Sequence, residues 1–85
     1  MKDGYLITFR SVTFAQKGER VLLQSGILCT MRRTPRQLSA RGCGYCLQVR
    51  REDGTMAVEV LRQRQIPYGK VYALTDGAEP EEQTL

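Results

Sequence analysis

The chain has 85 residues, 41% of them apolar and 26% charged, the balance of one small globular domain, and no apolar run approaches the ~20 residues of a membrane-crossing helix. It contains no histidine, which removes Ser-His and Cys-His nucleophile pairs, imidazole metal sites and imidazole acid–base catalysis together. The net charge of +4 averages two unlike regions: residues 75–85 hold four acids and no base, whereas residues 1–74 set thirteen bases against five acids, for +8.

Tyr5-Leu6-Ile7-Thr8-Phe9 is a short run of strand-favouring residues after Gly4 and predicts a buried strand. Ser11 is a good N-cap, and Phe14, Ala15, Gly18, Val21 and Leu22 recur at helical spacing up to a stop at Gly26, which predicts an amphipathic helix. Gly18 weakens that helix by up to ~1 kcal/mol relative to alanine, a cost that fits a helix lying very close to a sheet. Ile27 to Arg32 reads as a second strand, ended at Thr34-Pro35 because proline cannot donate to a ladder. Gly44 to Arg50 alternates with period two, Tyr45, Leu47 and Val49 on one face against Cys46 and Gln48 on the other, and predicts a third strand. After a turn at Glu52-Asp53-Gly54, Met56, Ala57, Val60 and Leu61 mark a second helix to about Gln65. Ile66 to Leu74 follows as a fourth strand whose Pro67 suggests a sheet edge.

The order βαββαβ is that of an α+β protein and resembles the ferredoxin-like sandwich, a four-stranded antiparallel sheet with both helices on one face. Residues 1–74 are expected to form this single domain. Residues 75–85, acidic and nearly without apolar side chains, are expected to be a disordered tail.

In such a topology the connection between the second and third strands lies at the same end of the sheet as the start of the first helix. That end would gather Arg10 and Ser11 with the segment from Arg32 to Gly44, in which Arg32, Arg33, Arg36 and Arg41 fall within ten residues without an acid. Cys43 sits in this cluster between Gly42 and Gly44. Guanidinium charge and a helix N-terminus stabilise a thiolate over a thiol, and flanking glycines leave backbone N–H groups free to donate to sulfur, so Cys43 is the expected reactive thiolate. Cys46 is the candidate second thiol of a Cys-x-x-Cys spacing. Two cysteines three apart on a strand point to opposite faces, however, and core packing is the expected role of Cys46. Cys29, inside a predicted strand, is read as a packing residue. With no histidine and no second Cys-x-x-Cys, no metal site and no cofactor are expected. Glu19 and Glu59 fall on the polar sides of their helices and form no acid–base pair.

Phe9-Arg10-Ser11 after the opening strand, the helix closing at Ser25-Gly26-Ile27, and Thr34-Pro35-Arg36-Gln37-Leu38-Ser39 running into Cys43-Gly44 together resemble the selenium/sulfur carrier protein-like family of small bacterial domains. The resemblance covers residues 5 to about 74. Gln37 stands where that family usually has an acid, which leaves this loop more basic. The resemblance implies that Cys43 holds sulfur or selenium as a persulfide or perselenide and passes it between donor and acceptor proteins. A persulfide is anionic, and Arg36 and Arg41 of the basic loop are the expected electrostatic support for it.

The leading expectation is therefore a carrier rather than an enzyme. The alternative is a non-catalytic regulatory or binding module that takes an anionic ligand on the arginine-rich loop, with the cysteines as packing. Nucleic acid is not the expected partner, since with six aromatic residues and no tryptophan the overall charge is its sole support. The opening MKDGYLITF lacks the apolar stretch of a signal peptide, and an odd number of cysteines argues against a disulfide framework, so the cytoplasm is the expected compartment. Exposed second and fourth strands would leave edges open to a homodimer.

Overall fold

The structure, a computed structural model, describes residues 4–34, 44–75 and 80–83. Strand β1 (Gly4–Phe9) leads through the N-cap Ser11, whose Oγ accepts the Phe14 N–H at 3.3 Å, into helix α1 (Val12–Gln24). Ala15, Gly18 and Leu22 are the buried face of α1. At Gly18 a Cβ would stand 3.0 Å from Phe9 Cζ and 3.2 Å from Leu47 Cδ1, so the close approach expected there is present. The helix ends with Gly26 at φ +81°, the Ile27 N–H donating to Leu22 C=O and the Gly26 N–H to Leu23 C=O, the pairing of a Schellman closure.

Strands β2 (Cys29–Arg33) and β3 (Tyr45–Val49) follow, then a 3-10 turn (Arg51–Asp53), helix α2 (Gly54–Gln63), and strands β4 (Val71–Leu74) and β5 (Glu81–Gln83). The α2 closure repeats that of α1, with Gln65 at φ +58° in the place of the glycine and the Ile66 N–H donating to Leu61 C=O at 3.0 Å.

All strand pairs are antiparallel, in the order β2-β3-β1-β4-β5. Tyr5, Ile7 and Phe9 of β1 with Leu47 and Val49 of β3 pack against Ala15 and Leu22 of α1 and Ala57, Val58 and Leu61 of α2, so the core lies between the sheet and the helices. The alternation predicted for β3 holds, but its other face is closed as well: Cys46 is fully buried and Gln48 is 8% exposed.

Two expectations are corrected. The antiparallel sheet has five strands rather than four, because Glu81–Gln83, in the segment expected to be disordered, pairs with Val71–Ala73. Ladder bonds are made by the backbone, so a strand whose three residues are all exposed needs no apolar side chain to pair with an open edge. The Lys70 Nζ to Glu82 Oε1 contact at 3.6 Å accompanies it. In consequence β4 is an inner strand, and the edges are β2 and β5. The fourth strand is also shorter than expected. The strand begins at Val71, with Gly69 and Lys70 joined to Thr8 by irregular backbone bonds, and Pro67 precedes the strand rather than marking its edge. No helix among the described residues is long and apolar enough to cross a membrane.

Candidate functional site

The predicted convergence at one end of the sheet is present among the described residues. Tyr45 is paired with Phe9 on one side and Arg33 on the other, which brings the β1–α1 junction and both ends of the β2–β3 connection together. The Thr34 N–H donates to Gly44 C=O at 3.2 Å, closing the base of that connection. Gly44 has φ +128°, and a Cβ on it would lie 3.4 Å from the Phe9 carbonyl oxygen and 3.7 Å from Thr34 Oγ1. Its glycine identity is thus a backbone requirement of the residue that follows Cys43. Cys43, Arg36 and Arg41 lie outside the described residues.

Ser11 is engaged as the α1 cap. Arg10 is exposed and borders a cleft of about 280 Å3 with Phe14, Pro67 and Tyr68. Spacing alone does not assemble this cleft. Phe14 recurs with the apolar residues of its helix and Tyr68 falls within the predicted fourth strand; the two meet because β4 starts only at Val71.

Of the four arginines in the basic stretch, Arg32 has a structural partner that spacing did not show, its Nη1 donating to Gln48 Oε1 across the strand pair at 2.7 Å. This accounts for a buried glutamine on β3, since its carbonyl oxygen is satisfied by a charged donor.

The two described cysteines are free thiols held in the neutral form. Burial pushes Cys29 up to about 11, with the Glu19 carboxylate adding to the effect, and its Sγ lies 3.9 Å from the Glu19 carbonyl oxygen. Burial also pushes Cys46 up, offset in part by the Thr34 hydroxyl and the Arg32 guanidinium nearby. The Thr34 Oγ1 approaches without completing a hydrogen bond and is a buried oxygen with no partner among the described residues. The expected packing roles of Cys29 and Cys46 agree with these surroundings. No group of three His, Cys, Asp or Glu side chains among the described residues could hold a metal ion.

No curated protein and no solved structure is detectably similar to the chain. The family described as "Putative Se/S carrier protein-like" matches residues 4–73, which takes in both helices, strands β1 to β3 and nearly all of β4. By that match over most of its length, the chain belongs to this family.

Proposed function

We propose that the protein is a sulfur or selenium carrier whose Cys43 holds the transferred atom as a persulfide or perselenide. Membership of the Se/S carrier-like family is the observation that carries this reading. Two features of the molecule support it. Cys29 and Cys46 are kept as thiols by burial, so neither is poised as a nucleophile at neutral pH. Cys43 directly precedes a glycine whose φ of +128° lets the backbone turn at the base of a connection rich in arginine. The strand order β2-β3-β1-β4 with two helices supports reading the first four strands as a ferredoxin-like unit.

Loading is a thiolate exchange with no net oxidation. The Cys43 thiolate attacks the terminal sulfur of a donor persulfide, a new S–S bond forms as the donor's S–S bond breaks, and the electron pair leaves on the donor thiolate. A perselenide follows the same path through an S–Se bond. Arg36, Arg41 and Arg10 supply positive charge that favours the anionic forms at each stage, and Ser11 shapes the adjacent helix start. Delivery repeats the exchange on an acceptor protein. No general base is required, which suits a chain without histidine.

Alkylation of Cys43 followed as a function of pH, in a Cys29→Ala/Cys46→Ala background, tests the reactive thiolate. The rate should titrate with a midpoint below that of a free cysteine peptide. A midpoint at or above the free value contradicts the reading. The second reading, an anion-binding module with structural cysteines, is favoured by the packed positions of two of the three thiols, Cys46 buried and Cys29 partly buried. Cys43→Ser abolishes carrier activity and spares anion binding, which separates the two.

A further inference from the structure

The cleft walled by Phe14, Pro67 and Tyr68 and edged by Arg10 has a volume of about 280 Å3 and is built from behind. Phe14 and Tyr68 both pack against the core. The segment that carries Pro67 and Tyr68 is tied to β1 at Thr8: the Gly69 N–H donates to Thr8 C=O at 2.6 Å, the Lys70 N–H to Thr8 Oγ1 at 2.7 Å, and that hydroxyl to Lys70 C=O at 3.2 Å. A Cβ on Gly69 would fall 2.6 Å from the same Thr8 Oγ1, which is already committed to Lys70, so the tie needs a glycine for space. The walls are therefore positioned before any ligand arrives, which removes part of the ordering cost of binding.

Among the described lining residues the charge is unbalanced. Arg10 is exposed and forms no ion pair with a described residue, and no acid stands in the first turn of α1. A guanidinium beside two aromatic rings and a proline suits a ligand with an oxyanion and a flat apolar body, the first taken by charge-assisted hydrogen bonds and the second by ring contact. The volume lies just below the ~300 Å3 at which sites for drug-sized molecules begin, which limits the body to about one ring. We infer that this cleft is a binding site for a small organic anion, a carboxylate- or phosphate-bearing molecule with a single ring. The inference goes beyond the carrier reading and does not depend on it: Arg10 is shared with that reading, but none of the described lining residues is a cysteine.

The test is titration of the full reduced chain with phenyl phosphate, benzoate and inorganic phosphate, followed by amide NMR. Phenyl phosphate or benzoate should give saturable shifts centred on Arg10, Phe14, Tyr68 and Gly69, with inorganic phosphate at least ~10-fold weaker. Arg10→Gln, a change at an exposed side chain, should weaken ring-anion binding by ~10-fold or more. Tyr68→Leu keeps apolar volume and should abolish the preference for ring-bearing anions. Cys43→Ser should bind as the parent does, so a failure of the carrier reading leaves this result standing. Absence of saturable shifts at millimolar ligand, shifts that map away from the cleft, or an Arg10→Gln protein that binds as tightly as the parent would overturn the inference.

Discussion

Replacing Gly44 by alanine places a Cβ on a residue at φ +128°, a conformation that side-chain-bearing residues rarely adopt. Space is not the obstacle, since the nearest atoms, the Phe9 carbonyl oxygen and Thr34 Oγ1, stand at 3.4 and 3.7 Å. The cost lies in the backbone, about 1–3 kcal/mol for holding an L-residue in such a region. Relief by rotation instead sacrifices the 3.2 Å bond from Thr34 N–H to Gly44 C=O, worth ~0.5–1.5 kcal/mol. Whichever route is cheaper, the loss is about 1 kcal/mol or more, a sizeable share of the ~4–13 kcal/mol expected for a chain of this length. In urea, with a slope of about 1 kcal/mol/M, the unfolding midpoint should fall by roughly 1 M or more. The alkylation rate of Cys43 should change in the same variant, because its neighbour's backbone has moved. Gly26→Ala is the control. It also forces a Cβ onto a positive φ, +81°, with open space around it, and should lower stability while leaving Cys43 reactivity unaltered. A Gly44→Ala midpoint within ~0.3 M of the parent, with unchanged alkylation, would refute the claim that this backbone geometry supports the site.

Two other perturbations follow from the same geometry. Gln65 closes α2 at φ +58° where glycine would carry no Cβ penalty, so Gln65→Gly should raise stability by about 0.5–1 kcal/mol in urea unfolding, and a loss would contradict the assignment. Cys29 is raised from 9.0 to about 11 in the folded chain, so its neutral thiol contributes stability that is fully present below pH 9 and is lost as pH climbs through about 11. The stability difference between the parent and Cys29→Val should therefore narrow across that window, and a difference that does not vary with pH would show that the thiol is not held neutral by its surroundings.

The elements that depend on their own side chains were legible in the sequence. The β1 run, the Ser11 cap with its helical spacing, the Gly26 stop and the β3 alternation are local signals, and each marks the element found there. Gly18 could even be read as a contact, since a glycine inside a helix facing Phe9 and Leu47 has a packing reason. What escaped depended on backbone groups or on pairs distant in the chain. Strand β5 is held by ladder bonds and presents three exposed polar residues, so its composition reads as tail. Regular pairing of β4 starts at Val71 because the Lys70 N–H goes to the Thr8 hydroxyl and the Gly69 N–H takes the Thr8 carbonyl oxygen, although the Thr8 N–H still donates to Lys70 C=O at 2.9 Å. Arg32 reads as a member of a basic run until β3 brings Gln48 diagonally across from it. The convergence of Arg10, Ser11, Thr34 and Gly44 was legible because strand order alone dictates it. The cleft of Arg10, Phe14, Pro67 and Tyr68 was not, because it depends on β4 starting only at Val71, with Pro67 and Tyr68 ahead of the strand.

A carrier role for Cys43 is open to intact-mass measurement after incubation with a persulfide-generating system, with and without reductant. One added sulfur atom that reductant removes is expected, absent from Cys43→Ser and retained in Cys46→Ser. An unchanged mass, a loss of two hydrogens showing a Cys43–Cys46 disulfide, or an addition that persists in Cys43→Ser would contradict it.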